Sequence, residues 1–144
     1  MNQVDNKQWT WQRALDSRTE YLVGLADDTI SEARMKELER SLKANQLSNM
    51  LAVSQATDDS VAAIVNWVRY QMGKRETSRA WKQTGLGDKV LSCIKEMAPE
   101  AQGVAEAIYG QPTEEQIRKI HVAMIRQYAG YMRRWFVARG GQER

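Results

Sequence analysis

Apolar residues recur along this chain with the three-to-four-residue spacing of α-helices, and this periodicity constrains the fold more than any other feature. Only two prolines occur in 144 residues, and runs of β-branched residues are few. Each amphipathic helix must bury its apolar face against another helix, and a chain of this length can bury a substantial core. We therefore expect an all-α, compact single-domain bundle of about five to six helices over residues 1–144, with residues 140–144 as a frayed tail.

Start and stop signals divide the helical pattern into segments. Thr29 followed by Glu32 matches a capping box, and Thr113 is placed to cap the last helix. A fourth helix should end before Pro99, because the residue before a proline disfavours helical backbone. The predicted helices span residues 7–26, 31–56, 59–73, 88–98, 100–109 and 113–139. A basic connector with about one helical turn around Ala80 follows the third.

The composition is typical of a cytoplasmic globular protein. Apolar residues make up 42% of the chain and charged residues 27%, and the net charge is +3 with a pI near 9.1. Cys93 is the only cysteine, which excludes a disulfide framework and suits a reducing compartment. No apolar run approaches the length of a membrane span, and the N-terminus has no signal-peptide pattern. We expect a cytoplasmic protein without membrane contact.

Catalytic and metal-binding patterns are missing from the sequence. His121 is the only histidine, and its place on an apolar helix side favours a buried structural role over a zinc site. Neither His121 nor Cys93 lies in a context typical of a nucleophile, and no phosphate-binding glycine loop occurs. The pairs Asp27-Asp28 and Asp58-Asp59 fit helix capping better than ion binding. The sequence predicts no catalytic residues, no metal and no cofactor.

The last predicted helix combines an apolar side with a basic stripe. Lys119, Arg126 and Arg133 are seven residues apart and fall opposite the apolar side on a helical wheel, with Arg134 beside them. Residues 113–144 hold seven cations and three acids, and two of those acids lie in the first turn. A smooth cationic edge of this kind suits a polyanion, although a solvated outer face is the simpler interpretation. We expect removal of the stripe to leave the fold intact.

A second basic segment, residues 67–82, mixes cations with aromatic rings. It holds five cations and one acid, whereas residues 1–66 hold seven cations and ten acids. Rings that stack on bases and cations that meet phosphates suit single-stranded nucleic acid. An equally good interpretation places Trp67 and Trp81 at the edge of the core or against a protein partner. The cations are Arg69, Lys74, Arg75, Arg79 and Lys82, and the rings are Trp67, Tyr70 and Trp81.

Two short segments resemble the small subunit of type III CRISPR effector complexes, most closely that of the Cmr (type III-B) complex. Residues 42–47 (LKANQL) and 50–53 (MLAV) are similar to the family's central helix, which reads Asn-Gly-Leu and then Leu-Ala-Phe. Residues 131–135 (YMRRW) match its C-terminal pattern of aromatic, aliphatic, two basic residues and aromatic. Gln46 stands in place of the usual glycine and Val53 in place of the usual phenylalanine. Residues 68–75 (VRYQMGKR) also resemble the Csm (type III-A) subunit.

The resemblance implies a non-catalytic protein whose copies stack head to tail in a multisubunit ribonucleoprotein. Its expected partners are the guide RNA–target duplex, contacted through the backbone, and the CRISPR backbone and large subunits. Stacking needs apolar contacts at opposite ends of each copy. Our candidates are Trp9 and Trp11 near one terminus and Trp135 and Phe136 near the other, and either pair equally suits the core.

Two other functions remain open from the residues alone. A helix-turn-helix regulator would need polar, base-reading residues at the start of a short second helix. Asp59 occupies that place after the second predicted helix, and its charge opposes DNA. A pure protein adaptor predicts instead that neutralising the basic stripe leaves assembly and activity unchanged.

Overall fold

A computed structural model describes the backbone of residues 3–143 and the side chains of residues 10–143. Within that range the chain is all-helical, as predicted, but it forms more helices than five or six. The seven α-helices are α1 (Gln3–Asp16), α2 (Thr19–Thr29), α3 (Glu32–Ser41), α4 (Ala44–Ala56), α5 (Val61–Gly73), α6 (Leu86–Tyr109) and α7 (Glu114–Ala138). A π-helical turn over Arg79–Gln83, here the π turn, stands where one turn was predicted around Ala80.

The helix predicted over residues 7–26 is two helices, because the chain turns at Ser17 and Arg18. The Ser17 hydroxyl donates to the Ala14 carbonyl at 2.6 Å, which satisfies the end of α1 locally. Arg18 Nε lies 2.7 Å from Oε2 of Glu100 in α6. The turn lets α1 pack on α6 while α2 packs mainly on α7. Neither turn residue is a glycine or proline, so the pattern carries no break signal.

A second break divides the helix predicted over residues 31–56. Leu42 and Lys43 have extended backbone with ψ of 143° and 151°, and the Leu42 side chain is buried. The Gln46 side chain accepts a hydrogen bond from the Lys43 backbone N–H at 3.2 Å and so starts α4. After the break α4 packs against α7, whereas α3 packs against the π turn.

Pro99 has the opposite outcome, since α6 runs through it without interruption from Leu86 to Tyr109. A proline cannot donate a backbone hydrogen bond to the residue four positions earlier. Here that residue is Lys95, and both Lys95 and Pro99 are exposed, so water can bind the released carbonyl. Met97 and Ala101 are buried on the inner side. The apolar stripe therefore continues across the proline and stabilises one long helix.

The last helix lies at the centre of the bundle. Helix α7 packs against α2, α4, α5 and α6, and four consecutive residues from Val122 to Ile125 are buried. The Thr113 cap is confirmed, because its hydroxyl accepts from the Gln116 backbone N–H at 3.1 Å. Helix α7 is thus buried on several sides, where the sequence predicted burial on one.

A polar network crosses the core between α2, α6 and α7. The Tyr128 hydroxyl lies 2.7 Å from Thr29 Oγ1, which donates to the Leu25 carbonyl at 2.8 Å and lies 3.6 Å from Cys93 Sγ. Complete burial raises the pKa of Tyr128 well above its usual value, so its hydroxyl stays protonated and donates. The predicted capping role of Thr29 is wrong, because Thr29 ends α2 and Ser31 takes the N-cap position of α3.

The segment after α7 folds back against the start of α4. Gly140 has a left-handed backbone with φ of +98°, and the Gly141 N–H donates to the Phe136 carbonyl at 2.8 Å. The Ala44 N–H donates to the Gln142 carbonyl at 3.0 Å. The frayed tail predicted from Gly140 onward is therefore corrected for residues 140–142, which have backbone partners.

Candidate nucleic-acid interface

Two of the three cations in the basic stripe predicted on α7, Arg126 and Arg133, are half-buried and bind α4. Arg126 Nε donates to the Ser54 carbonyl at 2.7 Å, and its Nη2 donates to the Thr57 carbonyl. Arg133 Nε donates to Ser48 Oγ at 2.8 Å. Ala123, which lies between Lys119 and Arg126 on the helical wheel, is only 7% exposed. The smooth cationic edge is therefore corrected: this side of α7 is a packing seam with α4.

Arg126 has a structural role at the C-terminal end of α4. The last carbonyls of a helix lack partners within the helix and carry partial negative charge. The Arg126 guanidinium donates to one such carbonyl and to that of Thr57, the residue that follows α4. A cation in this position satisfies acceptors that the fold removes from water.

Lys119 is the outer member of the stripe and is paired with acids. Its Nζ lies 3.6 Å from Asp58 Oδ2 and 3.5 Å from Glu115 Oε1. The two carboxylates, Glu115 more strongly, raise the pKa of Lys119 above its usual value. Oδ2 of the neighbouring Asp59 lies 3.6 Å from Nη2 of Arg118. These acids oppose a phosphate at the start of α7.

Arg134 is the one predicted cation of α7 that is exposed and has no ion-pair partner among the residues described here. Its guanidinium lies 5.8 Å from the centre of the Tyr131 ring. The two side chains border an open pocket of about 270 Å³ between α4 and α7, which Gln55 and Arg126 also line. Arg134 is therefore an exposed cation at the border of this pocket, outside the hydrogen bonds that Arg126 and Arg133 form with α4.

The segment 67–82 presents its cations differently. Arg69, Arg75, Arg79 and Lys82 are exposed and Lys74 is half-buried. None of the five forms an ion pair within the part of the chain that the structure describes. Arg75, Arg79 and Lys82, which follow the end of α5 and continue through the π turn, are called the basic edge below.

The five cations do not share one face. Arg69 borders an apolar groove of about 430 Å³ between α5 and α6, together with Lys95 and Leu91. Arg79 borders a groove of about 260 Å³ between α3 and the π turn, beside Arg40 and Glu37. Lys74 lines a third groove, described next. Arg69 is thus separated from the basic edge, and Arg40 joins it.

The α4–α5 groove is an open cleft of about 780 Å³ between the start of α4 and the end of α5. It brings together two cations, two aromatic rings, several amide side chains and one acid, Glu76. The cations are Lys43 and Lys74, the rings are Trp67 and Tyr70, and the amides are Asn45, Gln46, Asn49 and Gln71. Residues from both sides of the α3–α4 break meet here, which no local pattern predicts.

The three aromatic residues of the segment have different roles. Trp81 is completely buried and meets Trp67 edge to face, with ring centres 5.4 Å apart and planes at 87°. This contact joins the π turn to α5. Of the two roles expected for Trp81, the structure therefore shows core packing. Tyr70 is 59% exposed, and the Lys74 ammonium lies 5.7 Å from its ring centre. Tyr70 is the ring available to a ligand.

The proposed subunit contacts are only partly at the surface. Phe136 is completely buried in the core, so its assignment to a contact surface is wrong. Trp135 is half-buried beneath Arg139, whose guanidinium lies 4.2 Å from the ring centre and pairs with Asp27. Trp11 is half-buried against the core. The Trp9 side chain lies outside the described residues.

His121 and Cys93 belong to the interior. His121 Nε2 lies 2.8 Å from the Ile94 carbonyl, and burial lowers the pKa of the imidazole despite this hydrogen bond. Cys93 is a buried free thiol. The predicted burial of His121 is confirmed. In residues 3–143, no helix combines the length and the apolar character that crossing a bilayer requires.

Residues 3–143 thus form an all-helical fold with exposed, unpaired cations along the basic edge and an aromatic, amide-lined groove between α4 and α5. Comparisons with protein family models, with curated proteins and with solved structures find no match.

Proposed function

We propose that this chain is a non-catalytic nucleic-acid-binding subunit that contacts a nucleic-acid duplex through the basic edge. The observation that carries this proposal is the state of the cations: those of the edge are exposed and unpaired, whereas Arg126 and Arg133 of α7 bind the protein itself. Unpaired cations on one surface attract phosphates and release counterions when they bind them.

The proposed mode of binding is contact with the nucleic-acid backbone. Exposed lysine and arginine side chains reach phosphates without reading base edges. Binding of this kind recognises the shape of a duplex and not its sequence. This is expected where pairing with the guide supplies the sequence recognition. The protein would therefore hold a guide RNA–target duplex in place and leave sequence selection to base pairing.

We further propose that the chain is the small subunit of a type III CRISPR effector complex, stacked in several copies beside its backbone and large subunits. The support is the resemblance of residues 42–53 and 131–135 and their position in the fold. Residues 44–53 of the first segment lie in α4 and the second segment lies in α7. These two helices pack together, and Arg133 of the second segment binds Ser48 in the first. Motifs that maintain one packing seam are consistent with a shared helical scaffold.

The proposal is tested by charge reversal with a matched control. Arg75→Glu/Arg79→Glu reverses two cations of the basic edge, and Lys95→Glu/Arg134→Glu makes the same change at two exposed cations of α6 and α7. We expect the edge variant to bind a 20-base-pair RNA duplex about tenfold or more weakly at low salt, and the control to stay within about threefold. Equal losses of affinity in both variants would show that net charge alone, and not the basic edge, explains binding. No loss of affinity in either variant would also contradict the proposal.

A further inference from the structure

The α4–α5 groove differs from the basic edge in chemistry. A duplex needs cations alone, because its phosphates face outward and its bases are stacked on both sides. The groove offers amide side chains and an exposed ring as well, and Lys43 and Lys74 are its only lining cations. This combination suits a ligand that has a flat apolar face, a polar rim and a negative charge.

Tyr70 is the flat surface in this groove. This residue is 59% exposed, so its ring is accessible to a ligand. The Lys74 ammonium lies over this ring, 5.7 Å from its centre. A base that stacks on the same face would take the place of the ammonium, which could then pair with the phosphate of that nucleotide. Trp67, which also lines the groove, meets the buried Trp81 edge to face, with ring centres 5.4 Å apart. This second ring is therefore held in place before a ligand binds.

Amides form the opposite side of the groove. Asn45 and Asn49 are one helical turn apart on α4, and both are exposed. Each amide has donors and acceptors that match the polar edge of any nucleobase. Gln46 is partly committed, since its side chain accepts from the Lys43 N–H at 3.2 Å. Asn45 and Asn49 are thus the free hydrogen-bonding groups that face a ligand.

We propose that the α4–α5 groove holds one unpaired nucleotide of a bound strand, with its base stacked on Tyr70, its edge bonded by Asn45 and Asn49, and its phosphate held by Lys43 and Lys74. The groove volume of about 780 Å³ falls in the range of small-ligand sites. Only an unpaired base can offer a face to the ring, because a base within a duplex is stacked on both sides. This inference rests on the proposed function, since the basic edge would deliver the strand to the groove.

Binding of a single strand and of a duplex, measured side by side, tests the inference. The probes are a fluorescent 12-nucleotide single-stranded RNA and the duplex of the same length. We expect Tyr70→Ala to weaken single-strand binding about fivefold or more, the lower range for loss of one stacked base, and to change duplex binding less than twofold. Tyr70→Phe, which keeps the ring, should bind both probes like the wild type.

A spectroscopic measurement locates the base independently of affinity. A 2-aminopurine placed in the single strand should lose fluorescence on binding to the wild type and to Tyr70→Phe, and should keep it on binding to Tyr70→Ala. Equal effects of Tyr70→Ala on both RNA probes, or on neither, would overturn the nucleotide site. Displacement of the single strand by an acidic peptide at a lower concentration than by RNA would also overturn it, in favour of a protein partner.

The two proposals fail in different ways. If Arg75→Glu/Arg79→Glu abolishes duplex binding while Tyr70→Ala changes neither probe, the groove inference is wrong and the proposed function stands. If the wild-type protein binds neither probe even at low salt, the proposed function fails, and the groove inference falls with it.

Discussion

Residues 67–82 and helix α7 are the two basic regions of this molecule, and they use their charge in opposite ways. In α7 the guanidinium of Arg126 binds carbonyls at the end of α4, and Lys119 is paired with two acids. In the segment 67–82, Arg75 and Arg79 are exposed and unpaired. A cluster of cations in a sequence therefore does not indicate whether they face a ligand or a helix end. The packing of neighbouring helices decides whether a cation is exposed, and α7 packs against α2, α4, α5 and α6.

The largest expected effect lies inside the segment 67–82, where one ring is structural and another is not. Trp81→Ala empties a completely buried site and removes the edge-to-face contact with Trp67, so we expect a loss of about 3–5 kcal/mol in the free energy of unfolding. Tyr70→Ala, at an exposed ring, should cost about 0.5 kcal/mol or less. Urea denaturation measures both. Similar losses would show that Tyr70 belongs to the core and is unavailable to a ligand.

The comparison between the two basic regions is sharpened by replacing one arginine from each, Arg126 in α7 and Arg79 in the basic edge, with alanine. Arg126→Ala leaves the Ser54 and Thr57 carbonyls without their charged donor, which should cost about 1.5–3 kcal/mol. Arg79→Ala removes an exposed cation and should change stability by about 0.5 kcal/mol or less. The midpoints of chemical denaturation measure the difference. A stable Arg126→Ala protein would restore the open stripe that the sequence predicts.

A smaller effect is expected in the core network of α7. Tyr128→Phe removes the hydroxyl that donates to Thr29 and keeps the ring in place, so the free energy of unfolding should fall by about 0.5–1.5 kcal/mol. Tyr70→Phe makes the same chemical change at the surface and should have no measurable effect. A Tyr128→Phe protein as stable as the wild type would mean that the buried hydroxyl only compensates its own desolvation.

The smallest effect concerns pH and His121, the only histidine in the sequence. Burial lowers its pKa in the folded protein, so the unfolded chain binds more protons as the pH falls below about 6.5. We expect stability to decrease as the pH falls through that value towards the lower folded pKa, and His121→Gln to weaken this dependence. Thermal unfolding at pH 7.5 and 5.5 measures it. If His121 stabilised the folded protein more at pH 5.5 than at pH 7.5, this result would contradict burial of the neutral ring.

Much of the fold follows from the sequence, and its failures have physical causes. The 3.6-residue spacing predicts the ends of α5 to within two residues. The threonine before the last helix predicts the Thr113 cap of α7. The breaks at Ser17 and Leu42 are set by tertiary contacts, namely the pairing of Arg18 with Glu100 and the burial of Leu42. Pro99 was expected to stop a helix and does not, because its released carbonyl faces water.

The candidate site was less predictable than the fold. Exposure of Arg75, Arg79 and Lys82 agrees with the predicted surface, but Arg40 and Lys43 come from a region with more acids than cations. Their position beside the edge depends on the α3–α4 break and on packing of α3 against the π turn. On α7, a helical wheel separates polar from apolar sides, but it cannot show that a neighbouring helix covers the polar side as well.

Salt-dependent RNA binding by two neutralised variants tests the central claim most directly, namely that the basic edge and not α7 carries the interaction. Arg75→Ala/Arg79→Ala and Lys119→Ala/Arg134→Ala each remove two charges from surface positions that stability should tolerate. We predict that the edge variant reduces the slope of log affinity against log salt by about 1.4–1.8 and that the α7 variant leaves it unchanged. An unchanged slope for the edge variant with a reduced slope for the α7 variant would contradict the account.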